Sequence, residues 1–140
     1  ARCLDLFAGS GALGLEALSR GAGHCDFVDT SSRACRQIKA HLDLLAAGDR
    51  GCCNNSDAAA FLLAARRPYD IVFLDPPFGS GLLAPACAGL AQGNLLAADA
   101  LVYIETGNRE SLPDLPGNWN LHRDQHAGAV RYRLFVVDAR

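Results

Sequence analysis

Three short segments combine reactive side chains with turn-forming residues. Asp75-Pro76-Pro77-Phe78 joins a carboxylate, two consecutive prolines and an aromatic ring. Two prolines in a row cannot continue a central strand or begin most helices without cost, so they hold a rigid turn. That turn fixes a carboxylate, a free backbone carbonyl and a ring side by side. A flat base can stack on Phe78, while its exocyclic amine donates to the Asp75 carboxylate and the Pro76 carbonyl. Those two acceptors leave the nitrogen lone pair aimed at an electrophile. The second segment is Gly9-Ser10-Gly11-Ala12-Leu13-Gly14, a GxGxxG pattern. Its glycines let backbone approach a ligand and let a helix start tightly against a sheet. The third is Asp29, 20 residues beyond Gly9, where a carboxylate can accept from both hydroxyls of a ribose. Together the second and third segments indicate a nucleoside-containing cofactor without saying which one. The same spacing is the dinucleotide fingerprint of NAD-dependent oxidoreductases.

Each segment falls where a strand-like run ends. Residues 2–7 read as a buried strand, and a helix over 12–20 follows the glycine turn, with Leu13, Ala17 and Leu18 at helical spacing. A short strand over 25–28 ends at Asp29, and Ser31 or Ser32 caps a helix carrying Cys35, Ile38, Leu42 and Leu45. A weak strand at Cys52-Cys53 precedes a helix capped by Asp57, which Pro68 ends. Residues 69–74 form the clearest strand, running into Asp75. A helix near 82–90, a strand over 100–105 and two closing strands over 119–126 and 130–137 complete the chain. Repeated strand–helix–strand units predict a mostly parallel α/β sheet with helices on both faces. The last two strands, joined by a turn around Gly128, should pair antiparallel. In such sheets ligands bind at the carboxyl ends of the strands, where all three segments lie.

The 140 residues suit one domain, with 50% hydrophobic and 20% charged residues and a net charge of −2. That balance argues against disorder and against a strongly basic nucleic-acid footprint. No apolar run reaches the length of a membrane span, and no signal segment opens the chain. The six cysteines show neither CxxC pairing nor zinc spacing, so free thiols in a reducing compartment, the cytoplasm, are expected. His122 and His126 lie in a predicted strand, where four-residue spacing does not suggest a metal site. Trp119 and Tyr132 read as sheet packing, and Arg123, Arg131 and Arg133 as a solvated strand face more than as phosphate contacts. Glu105, at a strand end, is left open. There is no methionine, and the first strand starts almost at once, so a fragment or processed form of a longer protein is expected. A monomer is the default.

The run from Asp5 to Gly14, followed by Asp75-Pro76-Pro77-Phe78, resembles the class I S-adenosylmethionine-dependent methyltransferases that modify amines through a D/N-P-P-aromatic motif. More narrowly, residues 7–20, residues 70–78 and the closing Tyr132-Arg133-Leu134 resemble the RsmD-like family of 16S ribosomal RNA guanine-N2 methyltransferases, and the likeness runs over essentially the whole chain. The resemblance implies a Rossmann-like seven-stranded sheet and methyl transfer from S-adenosylmethionine to the N2 amine of a guanine. The partner would be ribosomal RNA or the assembling small subunit. Asp5, Phe7, Ala8 and the turn Gly9-Ser10-Gly11 would face the methionine end of the cofactor, Asp29 the ribose and Asp57 the adenine amino group. Asp75, Pro76, Pro77 and Phe78 would hold the guanine. The sequence departs from the family at Asp29, where Glu is commoner, and at Ser31, where an acid is often found. The family also has a segment before its first strand, associated with RNA contact, that this sequence lacks. The rival acceptors for the same motif are adenine N6 and a protein glutamine. A sulfonium already activates its methyl group, so this chemistry requires no metal and no covalent enzyme intermediate.

Overall fold

The computed structural model describes residues 1–139. Its elements are β1 (Arg2–Asp5), α1 (Ala12–Ser19), β2 (His24–Asp29), α2 (Ser32–Leu44), β3 (Gly51–Asn55), α3 (Ala58–Ala64), β4 (Tyr69–Leu74), α4 (Leu83–Gln92), β5 (Leu96–Gly107), β6 (Trp119–Ala127) and β7 (Val130–Val137). The strands form one seven-stranded sheet in the order β3-β2-β1-β4-β5-β7-β6. All neighbours are parallel except β5–β7 and β6–β7. This is the expected α/β architecture with an antiparallel terminal hairpin.

Strand alternation sends side chains to two cores. Cys3, Cys25 and Phe27 pack with Leu18 of α1 and with Ile38 and Leu42 of α2. Leu4, Val28, Val72, Leu74, Val102 and Ile104 pack on the opposite face with Leu62 of α3 and with Leu83, Ala86 and Leu90 of α4. Helix starts follow local capping chemistry. The Ser31 hydroxyl accepts from the Ala34 amide at 3.1 Å, and the Asp57 carboxylate from the Ala60 amide at 2.7 Å. Among the described residues no helix is long and apolar enough to cross a membrane.

Two elements depart from the sequence expectation. β1 ends at Asp5, so Leu6 and Phe7 belong to the connection that carries the glycine turn. β5 runs from Leu96 to Gly107 rather than from Ala100 to Glu105, so Glu105 lies inside the strand and not at its end. Tyr69 pairs with Leu96 but Ile71 with Leu101, so β5 bulges, and Asp99 adopts φ 61° within it. Ala97, Ala98 and Asp99 have weak strand propensity, which hides this stretch in the sequence. Strand order reverses between β1 and β4, because β2 and β3 lie to one side and β5 to β7 to the other. A ligand crevice is expected at such a switch point.

Candidate active site

A cleft of about 790 Å³ opens there, at the carboxyl ends of the central strands. Of the residues expected to form the site, Phe7, Ala8, Gly9, Ser10, Asp29, Asp57, Asp75, Pro76, Pro77 and Phe78 line it. Asp5 and Gly11 do not. Asp5 is 2% exposed and lies beneath the turn, where its Oδ2 accepts the Gly14 amide at 3.1 Å. It pins the first turn of α1, which has no side-chain cap of its own. Burial raises the Asp5 carboxyl to about 7, against the lowering effect of the Gly14 amide, with repulsion from Asp75 and Asp29 adding to the rise.

The three glycines divide their work. Gly9 adopts φ 56° with open space around it, so its backbone can meet a ligand. Gly11 is buried, and a Cβ there would meet Ile38 Cγ1 at 2.8 Å. A Cβ on Gly14 would lie 2.4 Å from Phe27 Cε1 and 2.8 Å from Cys25 Sγ, so this glycine lets α1 press against β2. Asp29 is already oriented by backbone: Oδ2 accepts the Gly9 amide and Oδ1 the Ser31 amide, each at 2.8 Å. Each oxygen keeps a lone pair for a hydroxyl donor. Asp57 is exposed, and the oxygen that does not cap α3 has no hydrogen bond among the described residues.

At the end of β4, Pro76 is buried while Phe78 is 56% exposed, so its ring is open to a flat partner. The Pro77 carbonyl accepts the Ser80 amide at 3.2 Å. The Pro76 carbonyl accepts nothing among the described residues. Gly79 and Gly81, at φ 68° and 73°, carry the chain from this turn toward α4. Half-buried Asp75 faces Glu105, which the sequence alone left open and which lines the same cleft. Burial, then the charge of Glu105 and a hydrogen bond with it, raise the Asp75 carboxyl to about 6. The cleft thus gathers acceptors and negative charge, suited to amines, hydroxyls and cations.

Other residues fall outside it. Arg131 makes a bidentate pair with Asp124 at 2.7 and 2.6 Å, and Arg133 is 6% exposed with Nη1 donating to Thr106 Oγ1 at 3.3 Å. Trp119 packs on Phe135 and Tyr132 on Tyr103. All six cysteines are free thiols. His122 and His126 lie on the edge strand β6, and no metal-binding cluster occurs among the described residues.

Comparison with known proteins places this geometry in a family. The family described as conserved hypothetical protein 95 matches residues 1–136. The Escherichia coli K12 protein named ribosomal RNA small subunit methyltransferase D is 45% identical over 139 residues, covering 99% of this chain and 70% of that protein. The chain belongs to this methyltransferase D family. The Haemophilus influenzae protein of the same name is 38% identical, over 95% of this chain and 70% of its own length. The solved structure of yhhF from Escherichia coli matches with a TM-score of 0.94 and 44% identity, covering 100% of this chain and 78% of that one. As a methyltransferase D relative the protein is a methyltransferase enzyme of the class I fold.

Proposed function

We propose that the protein transfers a methyl group from S-adenosylmethionine to the exocyclic N2 amine of a guanine in small-subunit ribosomal RNA. The observation that carries this reading is the joint position of two sets of groups in one cleft. Asp29 and the Gly9 turn stand on one side, and Asp75, Pro76 and Phe78 on the other. The names of the relatives supply the RNA.

The residues present fit an adenosyl cofactor. The Asp29 carboxylate, fixed by two amides, offers two acceptors to a ribose diol. Asp57 offers a free oxygen to an amino group, and Gly9 leaves room for close backbone approach. When bound, S-adenosylmethionine supplies a methyl group activated by its sulfonium. The protein supplies position and electrostatics. Phe78 stacks the acceptor base. Asp75 and the Pro76 carbonyl accept the two amine hydrogens. That arrangement favours a pyramidal nitrogen, whose lone pair is otherwise delocalised into the ring. The negative cleft accommodates the positive charge that develops on the nitrogen. A base inside a duplex cannot reach this turn, so the acceptor must be unpaired or flipped.

The cofactor half is tested by calorimetric titration with S-adenosylhomocysteine and, separately, with NAD. Binding of the first alone, weakened by Asp29→Ala, supports the reading, whereas binding of NAD alone overturns it. The acceptor half is tested by Asp75→Ala, which should abolish transfer and leave S-adenosylhomocysteine affinity nearly intact. Equal loss of both would sink the role given to Asp75.

A further inference from the structure

Asp75 has a partner that the proposed mechanism does not use. β4 and β5 are parallel neighbours with Leu74 opposite Ile104. The next residues are Asp75, just past the end of β4, and Glu105, still inside β5 and paired with Tyr132 of β7, so the two stand at the same level and on the same face. Both line the cleft with Phe78, and the charge of Glu105 acts on the Asp75 carboxyl. Glu105 is not free to swing. Its Oε1 accepts the Tyr103 hydroxyl at 3.0 Å, and the Tyr103 ring packs between Phe73 and Tyr132, with 6.1 Å between centroids on each side. Among the described residues no Arg, Lys or His forms an ion pair with either carboxylate. Two half-buried carboxylates held side by side without a cation are costly when both are ionised, and a ligand that brings a donor to each relieves that cost without a shared proton.

We infer that Glu105 is the residue that selects guanine, by accepting the N1–H that lies next to the amine held by Asp75. This rests on the guanine-N2 reading above and deepens it. The guanine edge presents N1–H beside the N2 amine, so two adjacent donors meet two adjacent acceptors. The rival acceptors present the opposite pattern. Beside the N6 amine of adenine lies an N1 lone pair, and beside a glutamine amine lies a carbonyl oxygen. Each would point a negative atom at the Glu105 carboxylate, which costs binding through an unpaired, desolvated acceptor. Asp75 and Pro76 recognise an amine; Glu105 recognises which amine.

The test compares the full-length wild-type protein with Glu105→Gln on small ribosomal subunits that lack the methyl group. A second substrate carries 2-aminopurine in place of the acceptor guanine, once that guanine is located from the wild-type product. 2-Aminopurine keeps the amine but has a lone pair at N1. Wild type should favour guanine over 2-aminopurine by about 10- to 100-fold in kcat/KM, the range for one hydrogen bond to a charged group. Glu105→Gln should lose about 10- to 100-fold on guanine and reduce that preference to about threefold or less, because its amide can donate to N1. Its S-adenosylhomocysteine affinity should stay within about twofold of wild type, which separates base reading from a structural role. An unchanged preference for guanine in the variant overturns the inference, as does a matching loss of S-adenosylhomocysteine affinity. A wild type that makes no N2-methylguanine overturns the functional reading itself, and this inference with it.

Discussion

Methyl transfer should fall as pH drops through about 6, and Asp75 is the reason. Its carboxyl is raised from 3.8 to about 6 by burial and by Glu105. In its protonated form it has lost an acceptor and places a hydrogen where the amine must donate. With a midpoint near 6, roughly nine-tenths of the protein is ionised at Asp75 at pH 7 and roughly one-tenth at pH 5. Single-turnover transfer should therefore drop about tenfold between pH 7 and pH 5, with unit slope below the midpoint. Unfolding through this group cannot produce the same loss. A carboxyl whose pKa is raised on folding binds its proton more tightly in the native state, so its contribution to stability grows as pH falls from 6 toward 4. The assay is rapid-quench methyl incorporation from pH 5 to 8, with circular dichroism at each pH. Asp75→Asn keeps a carbonyl acceptor without a titrating group and should flatten the acid limb. A wild-type rate unchanged down to pH 5, or an Asp75→Asn profile that keeps the limb, would show that Asp75 does not set the pH dependence.

Gly14→Ala should cost about 1–3 kcal/mol in urea denaturation or prevent folding, because its Cβ would lie 2.4 Å from Phe27, a fully buried ring. Asp5, raised to about 7 by burial, should make the protein less stable as pH rises from about 4 to 7, since the native state holds the proton more tightly than the unfolded chain. Asp5→Asn can still accept the Gly14 amide and should flatten that part of the melting-temperature profile; parallel curves for the two proteins would contradict this. Phe78→Ala should leave S-adenosylhomocysteine binding unchanged and lower kcat/KM for RNA by about 10- to 100-fold, as expected for the loss of one stacked base.

Much of the frame was legible because apolar runs end in residues of known turn chemistry. β1 stops before the glycine turn, β2 at Asp29 and β4 at a double proline, and these same punctuators line the cleft. The caps Ser31 and Asp57 were legible for the same local reason. What escaped depends on pairing between distant segments. The early start of β5 is set by its bulged register against β4, which no local pattern among Ala97, Ala98 and Asp99 announces. Glu105 reads in the sequence as one acid at an expected strand end; once Leu74 is placed opposite Ile104 it stands beside Asp75, inside a strand that runs on to Gly107. Asp5 was expected to face the cofactor, but the pleat and the tight start of α1 put it beneath the turn, bonded to Gly14. The terminal arginines show the same dependence on pairing. Arg131 meets Asp124 across the hairpin and Arg133 turns into the core, so neither is an unpaired charge on a solvated face.

The protein, incubated with methyl-labelled S-adenosylmethionine and small ribosomal subunits lacking the modification, should place the label in RNA. Digestion to nucleosides and mass spectrometry should then find it in N2-methylguanosine. Label in N6-methyladenosine, in protein glutamine or in no product at all would mean that guanine N2 is not the acceptor.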